Sequence, residues 1–302
     1  MDNKIEWLKE RKTYIGGSDI GAILGANKYM SAMDVYLDKI SESIKEIDSE
    51  EAYWGVALED IVAREYSKRT NFNIEKSDGL IRHHQYSFIA ANIDRWANNK
   101  QHILECKTAG FMKEKEWGEV GTDQIPESYL WQVAYYAAIT GVEKVDIAVL
   151  IGGQEFRIYT YKRDPELQDK LVKVACNFWN NNILKRIPPE VTSLPDANKL
   201  YSRSNGTQIE ANEDLIEKVD NLKELKHQER FISSKMNDLQ FEIKKYMQNN
   251  EVLIDNSGEV KVTWKSTNSR LSLDTKKLQE EHQNIYQQYL IEKDGSRMFL
   301  IK

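Results

Sequence analysis

The run H-I-L-E-C-K-T-A at residues 102–109 constrains this chain most. It has strand-like spacing, and along a strand successive side chains point to opposite faces. Glu105 and Lys107 therefore share one face, and Leu104 and Cys106 share the other. An exposed strand carries such a pair harmlessly. A half-buried strand does not, because desolvating charges costs several kcal/mol, roughly, unless they are paired or bound to a metal.

The pair needs context, since E-x-K also occurs at Glu10–Lys12, Glu224–Lys226, Glu242–Lys244 and Glu259–Lys261. Most such matches in a charged chain are solvated faces. The Glu259–Lys261 copy follows Asp255 in D-N-S-G, where aspartate and glycine are ordinary turn chemistry, and it reads as structural. The Glu105 copy differs because Asp94 lies on the strand before it, across the turn N-N-K-Q. An antiparallel hairpin brings Asp94 beside Glu105. Two close carboxylates repel, which raises one pKa or recruits a cation. Mg²⁺ suits them, being hard and octahedral and held by one or two carboxylates alongside substrate phosphate. Lys107, one pleat further, is placed to orient or deprotonate the attacking water, or to stabilise charge developing on phosphorus. The chemistry would be metal-assisted phosphodiester hydrolysis.

Two helices complete the constellation. W-G-V-A-L-E-D-I-V-A-R-E-Y, within a helix over about 51–70, carries Glu59 beside core-seeking Val56, Leu58, Ile61, Val62 and Tyr66. Glu59 is either a surface residue or a third acidic ligand that helps hold a second ion. Gln132 lies among apolar positions of a helix over 127–141 that stops at Gly141. It is either a satisfied core amide or the group that holds the lysine or the water.

Around these lies an α+β pattern. Helices are expected over 1–12 and 31–40. Between them T-Y-I-G-G-S-D-I-G-A-I-L-G is a glycine-punctuated turn entering a short helix, with Ser18 as its N-cap and Gly25 as its stop. Apolar runs over 79–97 predict strands. V-D-I-A-V-L-I and F-R-I-Y-T-Y around G-G-Q predict a second hairpin, and a helix follows over 164–186. I-P-P-E and S-L-P-D-A-N mark a boundary near 188–206, giving a core over 1–200 and an extension over 207–302. There Leu215, Leu222, Met236 and Ile243 form one heptad seam and Leu225, Ile232, Leu239 and Tyr246 the other, broken by Lys218 and Glu229. The pattern predicts a helix of about 35 residues, roughly 50 Å long. It reads as an intramolecular helical hairpin or core packing in preference to a dimer zipper. A hairpin at V-L-I-D-N-S-G-E-V-K-V-T-W, a helix near 274–290 and a final short strand complete the chain.

Composition excludes some classes. The chain has 302 residues, is 40% hydrophobic and 30% charged, and carries a net charge of −6, which disfavours a nucleic-acid coat protein. No apolar run nears the roughly 20 residues of a membrane span. The first residues lack signal-peptide form, so cytosolic residence is expected. Cys106 and Cys176 form no C-x-x-C, so neither a zinc knuckle nor a four-cysteine cluster is available. No G-x-x-x-x-G-K-[ST] motor motif occurs.

Taken in order, Arg11 with G-G-S-D-I-G-A-I-L-G, G-V-A-L-E ending at Glu59, N-I-D at Asp94, E-C-K at 105–107 and the Gln132 helix resemble the PD-(D/E)xK nuclease superfamily. More narrowly, they resemble the YqaJ-type viral recombinase family, related to lambda exonuclease. The resemblance covers about residues 1–200, with Ile93 where the superfamily name expects proline. It implies a restriction-endonuclease-like central mixed β-sheet flanked by helices, followed here by a mainly helical C-terminal extension carrying a β-hairpin. It implies that Asp94, Glu105 and Glu59 hold Mg²⁺ or Mn²⁺, as two ions, with the Cys106 carbonyl as a further oxygen. Lys107 would be the catalytic lysine and Gln132 its helper, while Arg11 and Ser18 would bind the terminal or scissile phosphate. The implied activity is 5′→3′ digestion of duplex DNA from a free end, leaving a 3′ strand for a RecT-like annealing protein. The implied setting is a bacterial host cytosol and a phage or prophage origin, with a homotrimeric ring around DNA. An endonuclease or restriction-like defence enzyme with the same core is the alternative, and a non-catalytic interaction protein is a third reading.

Overall fold

Turn chemistry and strand alternation build a mixed sheet. The computed structural model describes residues 2–44, 49–293 and 295–302. The chain divides into two compact units, one ending at Leu200 and one spanning Tyr201–Lys302.

In order, the first unit contains α1 (Asp2–Arg11), α2 (Gly17–Ile23), α3 (Ala32–Ile40), α4 (Glu50–Thr70), β1 (Ile74–Lys76), β2 (Ile81–Arg82), β3 (Ala90–Ala91), β4 (Arg95–Ala97) and β5 (His102–Ala109). There follow α5 (Glu127–Thr140), β6 (Lys144–Ile151), β7 (Glu155–Lys162), α6 (Pro165–Phe178) and α7 (Leu194–Leu200). Five strands form the sheet in the order β1-β4-β5-β6-β7. Within this sheet β5 and β6 run parallel, and the other neighbouring pairs run antiparallel. Parallel neighbours need a crossover, and α5 supplies it. The β4–β5 hairpin turns through Asn98, Asn99 and Lys100, all at positive φ. Asparagine tolerates that region better than most residues.

The sheet is covered on both faces. Leu104 packs with Val62, Ala63 and Tyr66 of α4. Ile103, pointing the other way, joins Val133, Ala134 and Ala137 of α5 in the larger cluster, which also takes in α2, α3 and α6. On the α4 side a polar group is buried as well. Asp146 accepts hydrogen bonds from Tyr66 Oη at 2.6 Å and Thr160 Oγ1 at 2.7 Å, and pairs with Lys144 at 2.8 Å.

The second unit comprises α8 (Glu213–Met247), β8 (Val252–Ile254), β9 (Val260–Thr263), α9 (Thr275–Glu281) and α10 (Gln283–Gln288). Among the described residues no helix is long and apolar enough to cross a membrane.

Several expectations are corrected. The N-cap of α2 is Gly16, not Ser18: the Asp19 carboxylate reaches back to the Gly16 N–H at 2.9 Å, leaving Ser18 inside the first turn. The apolar positions of the first half of α4 do not seek the core; Val56 and Ile61 are exposed and burial begins at Val62. The run over 79–97 yields only the short β2, β3 and β4. The helix after Asp164 leaves α geometry at Trp179, where W-N-N-N-I makes a π turn to Ile183. Among the described residues of the second unit α8 packs no antiparallel helix along its seam, and Leu225, Ile232 and Leu239 are exposed. The last residues, 295–302, form no strand.

Candidate active site

The site begins where β4 is missing. That strand starts only at Arg95, so the edge of β5 beyond Leu104 has no ladder partner on that side. Continuing the register one step sets Asp94 opposite Glu105. The Cys106 N–H, left without a strand, donates to Asp94 Oδ2 at 2.7 Å. In an extended strand the N–H and C=O of one residue face the same edge, so the Cys106 carbonyl also faces Asp94. Burial pushes the Cys106 thiol up, so it stays protonated and only the carbonyl is a donor to a hard ion.

Glu105 points towards α5 and is 2% exposed. Its Oε1 accepts from Lys107 Nζ at 2.6 Å and Gln132 Nε2 at 2.8 Å. Its Oε2 is buried without a hydrogen-bond partner. Burial, then the neighbouring Glu105, hold the Asp94 carboxyl well above the usual carboxylate range. An orphaned carboxylate oxygen beside a second carboxyl that resists ionisation fits a divalent cation, which would satisfy the first and ionise the second.

Lys107 is held from three directions. Besides Glu105, its ammonium donates to Gln132 Oε1 at 3.1 Å and lies 4.7 Å from the Tyr129 ring centroid. Burial works against its charge, but Glu105 and Asp94 outweigh burial and raise its pKa. Gln132 is oriented in turn: its Nε2 also donates to Tyr136 Oη at 2.7 Å. Gln132 is thus a buried amide with partners on both its oxygen and its nitrogen, and one of them is the lysine. Gly17 explains how α2 reaches this pair. A Cβ there would meet Tyr136 at 2.5 Å and Gln132 Cγ at 2.9 Å.

Glu59 reaches the same cleft from α4, on the other face of the sheet. Its Oε1 accepts from Arg95 Nη1 at 2.6 Å, and Arg95 also binds Asp60. Among the described residues no three His, Cys, Asp or Glu side chains are grouped to hold a metal ion. Glu59, Asp94 and Glu105 all line this one cleft, with Glu59 engaged by Arg95. The cleft encloses about 1160 Å³, and Lys28, Tyr29, Trp54 and Lys113 line its outer part.

Arg11 and Ser18 lie together, Nη2 to Oγ at 3.2 Å, with the guanidinium 5.0 Å from the Trp7 ring centroid. Neither lines the cleft. The first turn of α2, which carries Ser18, is tied down by an unexpected ion pair. Buried Asp19 and Lys39 meet at 2.8 Å, and Lys39 also donates to the Arg11 carbonyl at 2.7 Å. No local pattern announces this pair; Tyr136 was not anticipated either, though its place one turn after Gln132 is a signal that could have found it. In the second unit, Asp255 accepts from the Ser257 and Glu259 N–H groups and pairs with Lys261. That is turn chemistry.

Comparison with known proteins follows the same residues. A model of the YqaJ-like viral recombinase domain matches residues 6–143. The protein YqaJ of Bacillus subtilis (strain 168) is 36% identical over 291 residues, covering 93% of this chain and 89% of its own length. Among solved structures, the alkaline exonuclease LHK-Exo from Laribacter hongkongensis has a TM-score of 0.47 at 17% identity, covering 60% of this chain and 96% of its own. A phage-related exonuclease from Haemophilus somnus has a TM-score of 0.46 at 14% identity, covering 58% of this chain and 96% of its own. By its extended identity to YqaJ and the domain match that spans Arg11 to Gln132, the chain belongs to the YqaJ-like viral recombinase family.

Proposed function

We propose that this protein is a metal-dependent deoxyribonuclease that digests duplex DNA from a free 5′ end and leaves a 3′ single strand for a RecT-like annealing protein. The observation that carries the reading is the buried, unpartnered Glu105 Oε2 beside Asp94, with Lys107 and Gln132 locked on the same carboxylate. Membership of a viral recombinase family supports a DNA substrate.

Asp94, Glu105 and the Cys106 carbonyl would hold one Mg²⁺ or Mn²⁺. Glu59 would help hold a second on release from Arg95. A bound ion of this kind supplies Lewis-acid activation of the scissile phosphate and lowers the pKa of the attacking water. The remaining work falls to the chain. Glu105 and Gln132 aim the Lys107 ammonium, which orients the water and offsets the charge that builds on the phosphoryl oxygens. Tyr136 fixes the Gln132 amide, so the lysine has one orientation. Arg11 and Ser18 present a guanidinium and a hydroxyl in one place, which suits a terminal phosphate. Lys28 and Lys113 at the outer part of the cleft suit the following phosphates. A homotrimeric ring would keep the enzyme on its strand without a motor.

The test is digestion of end-labelled linear duplex in Mg²⁺, with and without a 5′ phosphate. Label loss from the 5′ end first, abolished in Asp94→Ala and Lys107→Ala, is expected. Unchanged activity in those variants would remove the site. Cutting of covalently closed circular DNA would assign the core to an endonuclease.

A further inference from the structure

The seam of α8 is eight apolar residues in ten heptad positions, with two charges as its breaks. The cover the chain supplies falls on one flank: Val219, Leu222 and Lys226 are half-buried and Met247 is buried. Leu225, Ile232 and Leu239 stay 60%, 56% and 65% exposed. A stripe of leucine and isoleucine in water along a long helix calls for a partner of the same spacing.

The two breaks say which partner. In a parallel pair of identical helices each seam residue faces itself, so Lys218 meets Lys218 and Glu229 meets Glu229. Both layers would bury like charges. Reversing one helix brings the two seams into alternation. One register then sets Lys218 against Glu229 of the second copy, and by symmetry Glu229 against its Lys218. The same register sets Leu215 against Ile232 and Leu222 against Leu225. Every layer is then apolar on apolar or cation on anion, over roughly 25 Å at 1.5 Å per residue. In the fully overlapped register both charges face hydrocarbon. The seam from Met236 onward runs past the end of this overlap.

We propose that α8 is a self-association surface, which pairs antiparallel with α8 of a second copy of this chain with Lys218 and Glu229 in register. The exposed contact of Lys218 with Asp214 at 2.5 Å is no competitor, because an exposed pair of this kind contributes little. A buried polar layer in a coiled coil sets orientation and register while the apolar layers hold the helices together.

The experiment is sedimentation equilibrium of the full-length chain at micromolar concentration, with circular dichroism to confirm that α8 stays helical. Leu225→Asp should halve the wild-type mass, removing the two-fold contact whatever ring the first unit forms, and Leu239→Asp, outside the overlap, should leave it unchanged. Lys218→Glu and Glu229→Lys should each weaken it at least about tenfold. The double variant K218E/E229K should restore it. Lysine and glutamate are both good helix formers, so these reversals read pairing even where Leu225→Asp unfolds the helix. A wild-type mass that Leu225→Asp does not change, single reversals without effect, a double variant that stays dissociated, or equal losses in Leu225→Asp and Leu239→Asp would each overturn the proposal.

Discussion

Replacing Lys107 with methionine keeps most of the side-chain length and removes the ammonium. Glu105 would then keep only Gln132 as a donor, with its second oxygen already unpartnered. Removing one member of a buried ion pair costs about 3–5 kcal/mol. The Lys107 side chain is 18% exposed, against 3% for Glu105, so water reaches the gap from one side. That lowers the expected loss to about 2–4 kcal/mol. For a unit of this size each kcal/mol moves the melting temperature by roughly 2–4 °C, so a fall of about 4–16 °C is expected in EDTA. Glu105→Gln added to Lys107→Met removes the stranded charge and should recover much of the loss, which makes the two substitutions non-additive. The catalytic effect is separate: the rate of duplex digestion in Mg²⁺ should fall about 10²–10⁴-fold. The assay is a thermal melt of the four members of the cycle, followed by end-labelled digestion. Additive melting shifts would refute the coupling drawn from the geometry. A digestion rate within about threefold of wild type would refute the role given to the ammonium, since the effect asked of it is at least about a hundredfold.

Other outcomes can be read independently. Mg²⁺ at about a hundred times its Kd should stabilise the wild type by about 2.7 kcal/mol, roughly 5–11 °C. Asp94→Asn and Glu105→Gln should each abolish that shift in a melt with and without EDTA, and a shift preserved in both would place the cation elsewhere. Gly17→Ala should cost about 1–3 kcal/mol by overpacking against Tyr136 and Gln132 and should slow digestion. Gly55→Ala, in a helix with nothing within 4 Å of the new methyl, should gain about 0.5–1 kcal/mol in urea titration. Tyr66→Phe removes the donor at 2.6 Å from Asp146 and should cost about 1.5–3 kcal/mol without changing the Mg²⁺ shift.

Patterns of short range were legible in the residues alone. Alternation in H-I-L-E-C-K-T-A placed Glu105 and Lys107 on one face, and N-N-K-Q supplied the turn that sets Asp94 opposite Glu105. Gly141 marked the end of the Gln132 helix, where it takes a left-handed cap. The heptads of 215–246 marked the length of α8. These features depend on backbone preference and side-chain period, which are properties of a few adjacent residues.

What the residues alone did not decide depends on which distant groups meet. Arg95 lies next to Asp94 in sequence, yet it engages Glu59 from a helix on the far face of the sheet. The buried pair of Asp19 and Lys39 likewise joins different helices. Val56 and Ile61 had the spacing of core residues and are exposed, because α4 meets the sheet only from Val62 onward. Periodicity states which face of a helix is apolar. Only the assembled layers decide which part of that face is covered and which charges lose their water.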